Sequence, residues 1–164
     1  MAVTYEKIAT TTLGSGTTSV TFSSIPGTYT DLVLVSSGKM SSGAADVYLK
    51  FNGSGSNYSY TVLWANSSTY GSNRGTNEGQ LNQDYFGVPT ANYGNITITN
   101  VMNYANTSVY KTTLSRANNA DNNQGVDAIV GLWRDTSAIT SIEFKTGTNM
   151  AAGFTFTIYG IKAA

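Results

Sequence analysis

The chain has 164 residues, nine of them basic and nine acidic, with no cysteine and no histidine. That length suits one domain able to bury a core without disulfides, and the missing thiol and imidazole exclude thiolate nucleophiles, histidine general bases and thiol-ligated zinc. The charges are scattered from Glu6 to Lys162, leaving no basic stripe for nucleic acid, and nearly half of the chain is Thr, Ser, Asn or Gly, a surface of hydroxyls and amides.

The chain opens without a basic segment leading into an apolar core, and no run approaches the roughly 20 apolar residues of a membrane helix. The expectation is a soluble, unexported chain with no membrane contact. Residues 1–12 are extended in character and read either as a first strand or as an arm covering a neighbour's edge. Period-two alternation begins at Val20-Thr21-Phe22, which places one face inward and one toward water. Pro26-Gly27 then fits a type II turn, with glycine at the positive-φ position. Leu32-Val33-Leu34-Val35 is apolar on both faces and reads as a central strand covered on two sides. Alternation returns in Val47–Phe51, after which Asn52-Gly53-Ser54-Gly55 is turn chemistry. Tyr58 and Tyr60 share one strand face and read as a core pair.

Between Ala65 and Tyr93 the pattern fails. The stretch reads as an irregular excursion with room for one irregular edge strand, and serves either as a contact loop or as a passive connection. Ile96–Thr99 resumes the alternation, and the polar residues Ala117–Gly125 read as a hairpin connection. Ala128–Trp133 is the second run apolar on both faces, read as another doubly covered central strand, with Gly131 marking a bulge or a close backbone approach. Asp135–Ile139 suggests one helical turn linking two strands. Ile142–Lys145 and Phe154–Ile158 supply the last alternating strands. The predicted fold is a single all-β domain over 1–164, an antiparallel, jelly-roll-like sandwich of roughly 8–10 strands without substantial helix.

Nothing in this pattern assembles catalytic chemistry. The acids are isolated in sequence and sit beside Asn and Gly, where carboxylates cap turns. Asp121-Asn122-Asn123-Gln124 with Asp127 offers oxygen ligands for calcium, yet the EF-hand pattern is absent and a solvated loop accounts for the same residues. No catalytic, metal or cofactor-binding residue is assigned, and an enzyme is not expected. The aromatics of the middle region point to interfaces, where tyrosine offers an apolar body and a wet tip. Tyr5, Tyr70, Arg74, Tyr85, Phe86 and Tyr93 are the candidate partner contacts.

Five strings, in order, add a resemblance: SVTFSSIPGTYTDLVLV (19–35), FNGSGSNYSYTVL (51–63), NYANTSVYK (103–111), GLWRDTSAITSI (131–142) and GFTFTIYGIK (153–162). Together they resemble a family of small β-rich structural proteins of tailed bacteriophages, especially those infecting cyanobacteria and other aquatic bacteria. The resemblance implies a virion protein of the head-decoration, cement or fibre type, made in the host cytoplasm and carried on the particle exterior. It also implies a symmetric homo-oligomer, with a trimer favoured, whose partners are the major capsid protein or other virion proteins. It brings no catalytic residue. The leading expectation is a capsid decoration or cement protein, since anything that binds only the assembled shell stabilises it by mass action. The alternative is a tail fibre or spike module that recognises a host surface glycan.

Overall fold

The computed structural model describes residues 5–119 and 125–162. Among the described residues every regular element is a strand: β1 (Tyr5–Thr12), β2 (Thr17–Phe22), β3 (Asp31–Gly38), β4 (Val47–Phe51), β5 (Tyr58–Ala65), β6 (Tyr70–Glu78), β7 (Leu81–Asn82), β8 (Asn95–Met102), β9 (Lys111–Asn119), β10 (Val126–Trp133), β11 (Ile142–Met150) and β12 (Thr155–Ile161). Eight strands form one antiparallel sheet in the order β1-β12-β3-β8-β9-β10-β5-β6, and four form a second in the order β2-β11-β4-β7. The protein is thus a jelly-roll-like β-sandwich, with more strands than the eight to ten anticipated.

The stretch expected to be irregular holds two strands: β6 at the sheet edge, where one irregular edge strand was anticipated, and the further strand β7. β6 pairs with β5 from Ala65↔Tyr70 to Ser59↔Thr76, across a turn that Asn66 closes by accepting the amides of Ser68 and Thr69 at 3.0 and 2.8 Å. Eight of the nine β6 residues are exposed or only half-buried, so backbone pairing alone makes the strand and its sequence needs no apolar alternation. Residues 81–84 and 87–90 are buried. The stretch 65–93 is therefore half edge strand and half buried cover, not an excursion. At the other edge β1 pairs with β12 of the same chain, and residues 1–4 lie outside the described residues.

The interior has two halves. One is apolar, with Leu32, Leu34, Phe51, Tyr58, Trp133, Phe144, Phe156 and Ile158 in a single cluster. Trp133 stacks on Tyr58 with centroids 6.2 Å apart and meets Phe51 edge-on at 5.6 Å. The other half is polar, because Thr97 and Thr99 of β8 and Thr113 and Ser115 of β9 all turn inward and are buried. There Gln83 donates to Thr99 at 2.7 Å and Thr99 shares a 2.8 Å bond with Ser115. Thr99 and Ser115 are tolerated in the interior because they bond one another, whereas the Thr113 hydroxyl is buried without a protein partner. Lys111 is buried as well, its ammonium donating to the carbonyls of Asn106, Val109 and Thr136 at 2.6, 2.8 and 3.1 Å. Burial pushes its pKa below the usual lysine value.

Four local expectations are corrected. β10 runs in unbroken register with both neighbours, so Gly131 makes no bulge. A Cβ there would lie 2.5 Å from a Leu81 methyl and 2.4 Å from the Thr113 hydroxyl, so the glycine admits Leu81 from the facing sheet. Pro26-Gly27 is not a type II turn, for the positive φ lies at Ser24 instead. Asp135–Ile139 forms no helical turn; the Asp135 carboxylate accepts the Ser137 amide at 2.7 Å, a local bond that competes with helix. Finally, β10 is covered on one side only. Asp127, Ile129, Gly131 and Trp133 are buried while Val126, Ala128 and Val130 are exposed. β3 fits the doubly covered expectation better, with Leu32, Val33 and Leu34 all buried.

Candidate interaction surface

Strand alternation assigns the second set of β10 side chains, and their partners in register, to the outward face of the eight-stranded sheet. One row across the face holds Ile96, Asn118, Val126, Ala65 and Tyr70; the next holds Ile98, Arg116, Ala128, Leu63 and Ser72; a third holds Asn100, Leu114, Val130, Thr61 and Arg74. Ten large apolar residues are exposed among the described residues, and six of them stand here: Leu63, Tyr70, Ile96, Leu114, Val126 and Val130, from 41% exposed at Ile96 to 88% at Tyr70. Scattered exposed apolar residues need no explanation, but a contiguous patch does. Five strands about 4.8 Å apart and about eight residues long make a face of roughly 600 Å², close to the roughly 800 Å² that each partner contributes to a standard interface.

The patch is not featureless. Shallow depressions lie between its strands, one bordered by Arg74, Thr61 and Val130, a second by Arg116, Ile96 and Val126. At the lower end Arg134 donates to Asn77 at 2.6 Å and to Ser59, tying β10 to the β5–β6 hairpin.

Behind the hairpin sits a second aromatic group. Trp64 stacks on Phe86 with centroids 4.2 Å apart, and Tyr85 meets Phe86 at 5.3 Å. All three rings are half-buried. The group is placed by Asp127, whose buried carboxylate accepts the consecutive backbone amides of Tyr85, Phe86 and Gly87 at 2.7, 3.0 and 2.7 Å. The Tyr85 hydroxyl accepts from the Asn73 amide at 2.9 Å, joining the group to β6.

The six contact candidates therefore occupy separate places. Tyr70 and Arg74 share the outward face at β6, and Tyr85 and Phe86 share the aromatic group behind it. Tyr5 lies on β1, at the opposite edge of the same sheet, and Tyr93 lies in the connection before β8, 45% exposed. Sequence reasoning missed Leu63, Ile96, Leu114, Val126 and Val130. A signal for two of them was present, since a strand apolar at both parities is either buried twice or left with one face for a partner.

Among the described residues no group of three or more His, Cys, Asp or Glu side chains is placed to hold a metal ion. The calcium reading at Asp121–Gln124 falls outside the described residues, and Asp127 spends its oxygens on backbone amides. Asp84 is wholly buried, accepting the Val47 amide at 2.9 Å and the Asn95 side chain at 3.3 Å. Burial, together with the neighbouring charges of Asp46 and Asp127, pushes its carboxyl well above the ordinary 3.8. The folded protein thus holds a proton that the unfolded chain has already released, so stability falls as pH rises from 3.8 through the raised folded value. Asp84→Asn, neutral at every pH, should flatten that fall in urea midpoints measured between pH 4 and 8. An unchanged slope would place the dependence elsewhere.

No protein-family model matches the chain, and no curated protein matches it. Several solved structures do. The chain is similar to a galectin of Caenorhabditis elegans at 9% identity and a TM-score of 0.38, over 94% of this chain and 96% of that one. A tetrameric galectin of the ball sponge Cinachyrella aligns at 13% identity and a TM-score of 0.38, over 87% and 99% of the two chains. An exo-inulinase of Aspergillus awamori aligns at 11% identity and a TM-score of 0.42, over 96% of this chain and 29% of the enzyme.

Proposed function

We propose that the protein is a structural component of a bacteriophage particle, a capsid decoration or cement protein that docks on the assembled head through the outward face of its eight-stranded sheet. The observation that carries this reading is the concentration of exposed apolar side chains on one face, with Leu63 and Val130 at its centre. Buried against a neighbouring subunit, such side chains stabilise the contact by about 1.5–3 kcal/mol each, and a ligand specific for the assembled shell stabilises that shell. The family resemblance adds the particle and its exterior as the setting, with a symmetric homo-oligomer as the form in which the chain is placed.

Purified expanded capsids should bind the protein at a stoichiometry matching the lattice, while host cells should not. The double variant Leu63→Asp/Val130→Asp alters only exposed side chains, so it should fold normally and bind capsids at least about 100-fold more weakly. Equal binding by wild type and double variant would remove this face from the reading. A tail-fibre role in host-glycan recognition has the half-exposed Trp64–Tyr85–Phe86 group in its favour, since such rings stack on sugars. Saturable binding to host envelope with none to capsids would put that role first.

A further inference from the structure

We infer that the surface opposite this face carries carboxylates and belongs to a protein other than a second copy of the chain. The inference rests on the docking reading above and specifies the chemistry of its partner. The chain has three arginines, Arg74, Arg116 and Arg134, and all three stand on or at the end of the same outward face. Arg134 is engaged with Ser59 and Asn77. Arg74 and Arg116 are exposed, and the one ion pair among the described residues joins Lys162 to Glu6, on and beside the far edge of the sheet. No outward residue of the described rows on β8, β9, β10, β5 or β6 is acidic.

Placement gives the two guanidiniums a purpose that solvation alone would not. Arg116 on β9 and Arg74 on β6 are three strand spacings and one row apart, a Cα separation of roughly 16 Å. Leu63, Ala128, Thr61 and Val130 lie between them in the same two rows. An apolar centre flanked by arginines is the composition of a protein interface, where arginine is enriched and lysine depleted. Arginine also suits bidentate pairing with a carboxylate.

The sign of the face decides against self-pairing. A two-fold contact brings the same patch of both copies together, so within the three described rows each arginine would meet an arginine, a hydroxyl, a side-chain amide or an apolar side chain, and no carboxylate. Burying a guanidinium without a counter-charge costs about 3–5 kcal/mol, which offsets a large part of what the apolar contact returns. An acidic, partly apolar surface on another protein meets both requirements. Homo-oligomers of this chain are then built through other surfaces, leaving the outward face free.

The test uses the full chain and purified expanded capsids. Arg74→Glu/Arg116→Glu should weaken capsid binding by about 30-fold or more, and Arg74→Lys/Arg116→Lys should retain binding better than the glutamate pair. Binding of the wild type should weaken as salt rises from 50 to 500 mM. Capsid binding that is abolished by Leu63→Asp/Val130→Asp, yet indifferent to salt and to both arginine pairs, overturns the carboxylate partner while leaving the docking face intact. Wild-type protein that ignores capsids overturns both. Sedimentation equilibrium separates the remaining occupant: self-association that Leu63→Asp/Val130→Asp dissolves would assign the face to a second copy. Salt-sensitive binding to duplex DNA with none to capsids would assign it to nucleic acid.

Discussion

Trp133→Ala is expected to destabilise the protein by about 3–5 kcal/mol, the cost of removing a large aromatic side chain from a core that collapses only partly around the void. Trp133 is 1% exposed and belongs to the single apolar cluster. Its ring lies between Tyr58 and Phe51, which bind the two sheets together, since Tyr58 belongs to β5 and Phe51 to β4. The Tyr58 hydroxyl in turn accepts the Phe51 amide at 2.8 Å, so a void at Trp133 loosens a hydrogen bond as well as the stacking. The indole N–H of Trp133 is buried with no partner, and an unpaired buried donor is itself costly. Trp133→Phe should therefore lose far less, within about 1.5 kcal/mol. Urea denaturation of the three proteins measures both differences. A loss below about 1 kcal/mol for the alanine variant would mean that the β4–β5 contact does not depend on this ring.

The second large effect is at Asp127. Asp127→Ala removes the acceptor of three consecutive backbone amides, and each buried donor left unsatisfied costs about 1–3 kcal/mol. Tyr85 and Phe86 are half-exposed and their amides regain water in part, so the expected total is about 2–4 kcal/mol. The loss should be local. Amide exchange at residues 85–87 should accelerate, and Trp64, stacked on Phe86, should change its fluorescence while Trp133 remains buried. Global unfolding without that local signature would show that Asp127 acts on the sheet and not on the segment it holds.

These two residues mark how much could be read without coordinates. Trp133 was legible as core because it ends an apolar run of strand length. Asp127 was not, because its partners lie about forty residues away in sequence, and no local pattern announces a carboxylate that binds a distant backbone. The same holds for the segment 81–90. Its polar residues Gln83 and Asp84 resembled a loop, yet they are buried against Thr99 and Asn95, so polarity there reports pairing within the interior. β6 was legible only as room for one irregular edge strand, because an edge strand held by backbone bonds to one neighbour needs neither alternation nor apolar side chains.

Of the candidate contacts, Tyr70 and Arg74 fall on the apolar face, while Tyr85 and Phe86 fall behind it. Tyr5 and Tyr93 stand apart. Aromatic identity in the sequence was a guide to exposure at Tyr70 but not to adjacency, which depends on strand order.

What the sequence by itself determined is the secondary structure of the alternating segments, because side chains of a strand point to opposite faces with period two whatever surrounds it. It also determined that β10 has two apolar faces. Which of them is covered was decided by tertiary structure: the facing sheet has four strands and the large sheet has eight, and the smaller sheet packs against one side only. Val126 and Val130 are left in solvent by that geometry, and local sequence holds no information about the side on which a distant sheet will pack.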